Sequence, residues 1–370
     1  MTAVPAANPL VDAKPATATP PPGRVASLDQ FRGYTVAGMV LVNFLGGFVA
    51  VPAVLKHHNT YCSYADTIMP QFFFAVGFAY RLTFLKRLRD VGAGVAALAT
   101  ARRALGLILL GFVMYHLDGG VKTWSQLVAL GPAGFLKTAF QREVFQTLVH
   151  IALASLWVLP VIAGGPGVRV GYLLASAALH LGLSWWFYFD WAWTRPVIDG
   201  GPLGFLSWSI PLLVGSLAYD AVFRGERGVV ARLTVWSLVL MVAGYGLSCL
   251  GGAPAAPPFV APDVPVNLWT MSQRTGSISY LTFSAGFSLL VYAAFVVICD
   301  RGGLGVGLFR TFGRNALAAY VLHGMVGAAV RPYVPDDAPG WYVAAGFLAY
   351  FGVTLALVRG LERQGVFIRL

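Results

Sequence analysis

The chain alternates between long apolar runs and short polar segments. A membrane-spanning helix needs about 20 consecutive, largely apolar residues to cross ~30 Å of hydrocarbon. Ten runs approach that length, and the pattern therefore predicts an all-α, polytopic membrane protein with about ten transmembrane helices. The predicted spans lie near residues 34–54, 67–85, 102–117, 145–163, 168–188, 204–222, 229–250, 277–299, 315–332 and 340–358.

The amino-acid composition supports the same interpretation. Of 370 residues, 57% are hydrophobic and only 11% are charged, whereas ordinary soluble domains carry about 25% charged residues. A chain with so few charges cannot cover a globular surface with polar groups, so lipid is its expected solvent. Residues 1–23 are rich in Ala and Pro and predict a disordered cytoplasmic tail. Residues 24–370 are expected to form a single transmembrane domain.

The basic residues predict how the chain is oriented in the membrane. With a cytoplasmic N-terminus, most of the 26 lysines and arginines fall in segments on the cytoplasmic side, as the positive-inside rule requires. Both termini are then cytoplasmic, and the segment 56–66 lies outside. The net charge of +11 comes from these short loops. It therefore indicates membrane orientation and argues against binding to nucleic acid.

Two polar residues interrupt the apolar spans. Asn43 lies ~13 Å beyond Tyr34 along a helix, near the bilayer midplane, and His323 lies at a similar depth in the ninth span. Polar groups are costly there, so they indicate either a functional site or a hydrogen bond between helices. A helix break at Gly46 and Gly47 would let the chain fold back and bring the external segment towards Asn43.

The external segment contains the best candidates for a catalytic centre. His57 and His58 are side chains of the type that most often acts as a general base. Asp66 precedes the second span, where it serves either as a carboxylate at a helix N-terminus or as a group that orients a histidine. The sequence lacks the signatures of serine hydrolases, zinc proteases, P-loop proteins and dinucleotide-binding folds. Its three cysteines have no metal or redox spacing, and no metal site is expected.

Four stretches resemble the catalytic domain of heparan-α-glucosaminide N-acetyltransferase and its bacterial relatives. RVASLDQFRGYTVAGMVLVNFLGG (24–47) is similar to the family pattern R-x-x-S-x-D-x-F-R-G followed by V-N-x-x-G-G. LKHHNTYCSYADTIMPQFFFAVG (55–77) is similar to the histidine loop of the family. NLWTMSQRTGSISYLTFSAGF (267–287) and GRNALAAYVLHG (313–324) resemble two further segments. The resemblance covers roughly residues 24–370.

The chain departs from the family pattern in three places. Between the histidine and the aspartate the family usually has a W-N/H-G-T-like stretch, where this chain has NTYCSYA (59–65). The spacing from the asparagine to the histidines is longer than in the family, which leaves open whether His57 or His58 takes the catalytic place. The family segment G-V-L-Q-R is represented by EVFQT (143–147), which keeps Gln146 and lacks the arginine. The missing arginine bears on the specificity for the acceptor and on any contact that the arginine makes in the family.

The resemblance implies acyl transfer across a membrane. Acetyl-CoA would bind from the cytoplasm, and its acetyl group would pass to an amine or hydroxyl of an extracytoplasmic glycan or amino sugar. His57 or His58 would act as general base, Asn43 would stabilise the oxyanion, and Asp66 would hold the histidine tautomer. The location implied is the bacterial cytoplasmic membrane, and a homodimer is compatible with it. Residues expected to bind the donor are Arg32, Arg103, Arg314, Asn315 and His323, and those expected to contact the acceptor are Trp269 and Gln146.

A membrane transporter or channel is the alternative that the sequence leaves open. In that case Asn43, His323 and Asp66 would line a permeation path or a proton relay. The sequence contains no clear inverted repeat, and its polar residues gather around one external loop. Both features favour the enzyme.

Overall fold

The computed structural model describes residues 25–115, 121–141, 144–195, 197–223, 228–252, 260 and 265–368. Every regular element in these residues is helical. The α-helices are α1 (Ala26–Leu45), α2 (Tyr64–Val91), α3 (Ala93–Tyr115), α4 (Trp124–Gln141), α5 (Thr147–Trp157), α6 (Pro166–Leu183), α7 (Phe189–Thr194), α8 (Gly204–Phe223), α9 (Val229–Ser248), α10 (Ile278–Phe295), α11 (Gly307–Arg314), α12 (Ala316–Val330) and α13 (Gly340–Arg363). Two π-helical segments, Ser184–Tyr188 and Val296–Arg301, continue α6 and α10.

Seven helical segments in the described residues are long and apolar enough to cross a membrane. They contain α2, α3, α6, α8, α9, α10 and α13. The prediction of an all-helical, membrane-type protein is therefore confirmed, but the count of ten spans is not. Helices also form at the other three predicted spans, as α1, α5 and α12, and these are not among the seven. The shortest of them, α5, has 11 residues, and α12 has 15.

The first predicted span has the wrong boundaries. We expected residues 34–54, whereas α1 begins at Ala26 and ends at Leu45. The polar first turns belong to the helix because they are packed against other helices, and Ser27 and Gln30 are both buried. The helix ends where Gly46 and Gly47 remove the propensity to continue it.

Among the described residues, three α-helices lie outside the predicted spans, namely α4, α7 and α11, and α4 is the longest of them. α4 lies between the third and fourth predicted spans and contains a kink at Gly131, which has a φ of 65° and is followed by Pro132. A Gly-Pro pair is a strong breaker signal, so the two short helical pieces do not resemble a span in the sequence. Trp124 and Val128 on α4 are largely exposed.

Burial separates central helices from peripheral ones. Within an apolar stretch of 18 residues in each helix, 67%, 78% and 56% of the residues are buried in α2, α8 and α10. The corresponding fraction is 22% or less in α3, α6, α9 and α13. The central helices approach closely at glycines. A Cβ on Gly77 would lie 1.7 Å from the carbonyl oxygen of Leu212, and one on Gly215 would lie 2.0 Å from that of Phe74. Small residues at such crossings let helix backbones approach each other in membranes.

Replacing Gly77 by leucine is therefore expected to disrupt the α2–α8 crossing. The destabilisation should reach or exceed the ~1–3 kcal/mol typical of overpacked cores, and thermal unfolding of the detergent-purified protein measures it. The matched control is Gly171→Leu in α6, where an added Cβ meets no atom within 4 Å. Equal melting temperatures for the two variants would contradict the close packing.

Apolar side chains form two clusters. The larger one joins α2, α3, α5, α8 and α10, and the smaller one joins α1, α12 and α13 with the start of α2. Tyr320 of α12 packs against both clusters. Binding sites form preferentially where packed units meet. The boundary between the two clusters is therefore a candidate place for a binding site.

The two ends of the bundle differ in their polar groups. The histidine end contains His57 and His58, and the arginine end contains Arg87 and Arg103. Towards the arginine end, α2, α6 and α8 are joined by a buried charge cluster. The Asp220 carboxylate accepts hydrogen bonds from Arg81, with Nε 3.1 Å from Oδ1, and from Arg169. The three side chains are at most 11% exposed, so one carboxylate is buried between two guanidinium groups.

Candidate functional site

The segment between α1 and α2 folds back into the bundle. α1 and α2 run antiparallel, because Phe31 packs on Phe74 and Gly38 faces Ile68. The first residue of α2, Tyr64, places its hydroxyl 3.0 Å from the hydroxyl of Tyr34, well before the end of α1. The residues that connect the two helices therefore return below the tip of α1.

A second contact gives the depth of this segment. The Sγ of Cys62 lies 3.7 Å from the Oγ of Ser284, which is six residues into α10, or ~9 Å along that helix. The expectation that the chain folds back after the Gly46-Gly47 pair thus agrees with the geometry. We call residues 46–63 the histidine loop.

Asp66 organises this loop. Its side chain is 1% exposed, and its carboxylate accepts hydrogen bonds from three N–H groups: His57 Nδ1, the His58 backbone and the Ser63 backbone. The Asp66 backbone N–H in turn donates to Ser63 Oγ, which completes a capping box at the start of α2. The two functions considered for Asp66, helix capping and histidine orientation, are therefore both met by one carboxylate.

His57 has the arrangement of a general base. Its Nδ1 lies 3.0 Å from Asp66 Oδ1. Because a carboxylate only accepts hydrogen bonds, the proton of the neutral ring sits on Nδ1 and the lone pair is on Nε2. The side chain is 46% exposed, so Nε2 is accessible. A buried carboxylate that fixes the tautomer of an accessible imidazole is the pairing used in general-base catalysis.

His58 is engaged differently. Its Nε2 donates a hydrogen bond to the carbonyl oxygen of Ala53 at 2.8 Å, and its ring stacks on Tyr61 with centroids 4.1 Å apart. Both contacts hold the turn of the loop. The geometry therefore favours His57 over His58 as the base.

The loop also contains a thiol beside this pair. Burial, followed by the nearby charge of Asp66, raises the pKa of the Cys62 thiol. The same two causes, in the same order, raise the pKa of the Tyr61 hydroxyl. Since the thiolate is the nucleophilic form of cysteine, Cys62 is a poor candidate for carrying an acyl group.

Asn43 and His323, predicted separately, form a pair. Asn43 Nδ2 lies 3.1 Å from His323 Nε2, and His323 Nδ1 lies 3.2 Å from the carbonyl oxygen of Ala319. Nδ1 of the neutral ring therefore donates to that carbonyl, and Nε2 accepts one amide hydrogen of Asn43. The second amide hydrogen is not used by this bond. Asn43 is exposed, and the bond to His323 directs its amide towards α12.

The height of this pair relative to Asp66 follows from the packing of α1 on α2. Gly38 faces Ile68, so Asp66 lies about level with Val40. Asn43 is three residues further along α1, or ~5 Å. In the described residues no hydrogen bond joins Asn43 to either loop histidine. The two pairs thus occupy neighbouring levels of the same end of the bundle.

Further polar residues, not identified from the sequence, extend from His323 across the bundle. Tyr320, one turn before His323, hydrogen-bonds Tyr115 at the end of α3 and lies near Thr147 at the start of α5. Thr147 Oγ1 lies 3.6 Å from the Met69 sulfur, and Gln273 Nε2 lies 3.8 Å from the same sulfur. Met69 is one turn below Asp66 on α2. These residues therefore border the region between the two apolar clusters.

A second buried carboxylate lies at the far side of this region. Asp199 is 3% exposed and accepts a hydrogen bond of 2.7 Å from Gln273 Nε2. It is a non-glycine residue with a φ of 57°, a left-handed conformation that Asp tolerates better than most residues. Tyr280 lies near both carboxylates, since its hydroxyl donates to the Asp66 carbonyl and the charges of both Asp66 and Asp199 act on it. In the sequence, only the pair Gly200-Gly201 indicates that the chain turns after Asp199.

The residues predicted to bind the donor lie in three places. Arg32 and Arg103 lie together at the arginine end, where the charges of Arg32 and Arg87 act on Arg103. Arg314 pairs with Glu362 at 2.9 Å, and Asn315 Nδ2 donates to the Val366 carbonyl, so both hold the end of α13. His323 belongs to the Asn43 pair instead.

A small cavity adjoins the arginine cluster. It is lined by Arg87 and Arg103 and by hydroxyl groups from α2, α3 and α5, including Thr100 and Ser155. The Tyr80 hydroxyl lies buried beside Thr100 without a regular hydrogen bond in the described residues. Cationic and hydroxyl donors around a cavity are the groups that bind phosphate oxygens.

The two residues predicted to contact the acceptor are not brought together. Gln146 precedes α5 and is adjacent to Thr147, which places it beside the polar region. Trp269 lines a separate small cavity with His180 and Ser279, and its backbone is held by Asn267. Within the same sequence segment, Gln273 rather than Trp269 reaches Met69 and Asp199.

Comparison with known proteins adds no relative. No family model matches the chain, and no curated protein matches it either. A proposal of function therefore rests on the geometry of the site and on the motifs quoted above.

Proposed function

We propose that the protein is a membrane-bound acyltransferase that moves an acetyl group from acetyl-CoA, bound at the arginine end, to an acceptor at the histidine end. The hydrogen bond between His57 Nδ1 and the buried Asp66 carboxylate is the observation on which the proposal depends. The acceptor carries an amine or a hydroxyl, as a glycan or amino sugar does. With both termini cytoplasmic, the arginine end faces the cytoplasm of a bacterial inner membrane.

In the proposed reaction, His57 Nε2 removes the proton of the acceptor as its nitrogen or oxygen attacks the thioester carbonyl carbon. The tetrahedral intermediate then expels the CoA thiolate, and the imidazolium of His57 returns the proton to that sulfur. Acceptor and acetyl-CoA become acetylated acceptor and free CoA. General-base catalysis of this kind contributes about 10²–10⁴-fold.

Asn43 is the proposed oxyanion donor. His323 accepts one amide hydrogen of Asn43 and so orients the group, while the other hydrogen is available for the developing negative charge. Removal of one oxyanion donor costs ~3–4 kcal/mol in other acyl-transfer enzymes. The role requires the thioester carbonyl to lie between the two levels described above, a separation of ~5 Å along α1.

The donor phosphates would bind at the cavity beside Arg87 and Arg103, with Tyr80 and Thr100 as further hydrogen-bond donors. A polyanion cannot enter hydrocarbon, so only the uncharged pantetheine arm would extend between the two apolar clusters towards Tyr320. In this proposal α1, α5 and α12 also cross the membrane, which gives ten crossings in total.

Calorimetry with purified protein tests donor binding. Acetyl-CoA is expected to bind, and Arg103→Gln should weaken the affinity by about tenfold or more, because a charge-assisted bond to phosphate is worth about 1.5–3 kcal/mol. Arg363→Gln, an exposed arginine of the same end, is the control and should bind normally. If the unaltered protein does not bind acetyl-CoA, the proposal is wrong.

The transporter or channel remains the rival class. Asn43, His323 and Asp66 lie within neighbouring levels of one end of the bundle and are not spread along the helices, which favours a reaction site over a permeation path. Proteoliposomes that show ion or solute flux without acetyl-CoA, and no transfer with it, would favour the rival.

A further inference from the structure

One arginine lies on a helix face that is otherwise apolar. Leu98, Leu105, Leu109 and Val113 are each 50–58% exposed, and their spacing puts them on one stripe of α3. Arg102 falls on the same stripe and is itself exposed. Since α3 is one of the peripheral, span-length helices, this stripe faces lipid.

The charge on this stripe needs a counter-charge. Arg102 stands at the start of the third predicted span, at the arginine end, where lipid headgroups are expected, and a charged side chain on a lipid-facing stripe is unfavourable unless it is partnered. Arg87 and Arg103 lie beside it. In the part of the chain that the structure describes, none of the three arginines forms an ion pair with a carboxylate or donates a hydrogen bond to one, so a local excess of positive charge remains.

These arginines surround a cavity on the outer face of the bundle. The cavity measures about 300 Å³ and is lined by Arg87, Val95, Leu98, Arg102 and Arg103 with Ala99. Arg87 and Arg103 also line the small cavity described above, the inner one, together with Tyr80 and Thr100. Arg102 lines only the outer cavity. The two cavities are thus distinct sites that share a wall of two guanidinium groups.

We infer that the outer cavity binds the phosphate of an anionic membrane lipid, whose acyl chains lie along the α3 stripe. Guanidinium groups bind phosphate oxygens in bidentate fashion, and basic pockets at the cytoplasmic side of membrane helices bind anionic headgroups. The exposed side chains of Val95 and Leu98 beside the arginines favour a lipid over a soluble anion. A soluble phosphate would leave that apolar rim uncovered, while a glycerophospholipid covers it.

Lipid retention tests this site. The full chain is purified in neutral detergent from mixed phosphatidylcholine–phosphatidylglycerol vesicles, and bound lipid is counted by native mass spectrometry. The unaltered protein is expected to retain phosphatidylglycerol preferentially. Arg102→Gln should retain at least tenfold less, while Tyr80→Phe, which changes only the inner cavity, should retain the normal amount. Equal melting temperatures establish that both variants are folded.

The same preparations separate the two sources of phosphate. Inorganic pyrophosphate should leave the retained phosphatidylglycerol in place and should bind Arg102→Gln as well as it binds the unaltered protein. Retention of phosphatidylglycerol by Arg102→Gln at the normal level, or no preference over phosphatidylcholine, would overturn the inference. Displacement of the lipid by pyrophosphate, with pyrophosphate binding lost in Arg102→Gln, would assign the cavity to a soluble anion instead.

Discussion

Replacing His57 by alanine is expected to lower acetyl transfer by about 10²–10⁴-fold while acetyl-CoA still binds. The variant removes the accessible Nε2 and leaves the arginine cluster untouched. Transfer of radiolabelled acetyl from acetyl-CoA to a panel of amino sugars, beginning with glucosamine, measures the first effect, and calorimetry measures the second. The two readouts together distinguish loss of a base from loss of the fold.

Two further variants, one in α2 and one in the histidine loop, make this test more specific. Asp66→Asn replaces an acceptor-only carboxylate with an amide, so the ring of His57 is no longer held with its proton on Nδ1, and transfer should fall by a comparable factor. His58→Ala removes a bond to the Ala53 carbonyl and a stack on Tyr61 and should have a much smaller effect. Full activity in the His57→Ala/His58→Ala double variant would refute the general-base mechanism.

The second large effect is expected at Asp220. Its replacement by alanine leaves Arg81 and Arg169 buried without their shared carboxylate. Removal of one partner from a buried ion pair destabilises proteins by about 3–5 kcal/mol, so the free energy of unfolding should fall by that order. Chemical denaturation in detergent micelles measures the change.

A compensated variant identifies the cause. Arg81→Met, Arg169→Leu and Asp220→Leu combined remove all three charges and fill the space with apolar groups, which is often neutral or stabilising. This triple variant should unfold at a higher denaturant concentration than Asp220→Ala. If Asp220→Ala alone unfolds like the unaltered protein, the cluster contributes nothing to stability.

The helical membrane character could be predicted because apolar runs of span length report directly on burial in lipid. Helix ends were harder to predict. The first turns of α1 contain Asp29 and Arg32 and appear too polar for a span, yet tertiary packing buries their neighbours Ser27 and Gln30. The kinked α4 was missed because Gly131 and Pro132 resemble a loop.

Individual site residues were predictable where they stand out against an apolar background, as Asn43, His323 and the two loop histidines do. Pairing was not predictable, because Asn43 and His323 are 280 residues apart in the chain. Tyr115, Tyr320 and Gln273 were missed for a related reason: tyrosines and a glutamine near span ends are common, and only the fold shows that they border one region. The capping box between Ser63 and Asp66 follows the pattern S-x-x-D before an apolar run, but only the carboxylate of Asp66 at the helix start was predicted.

The exposure of His57 has a consequence for the acceptor of the proposed reaction. Cys62 reaches the level of Ser284 in α10, but His57 is held by Asp66, the third residue of α2, and its side chain is 46% exposed. A nucleophile would therefore meet Nε2 at the surface of the histidine end and would not have to enter a narrow channel. An amine or hydroxyl in the interior of a large glycan, as well as a terminal one, would then be within reach.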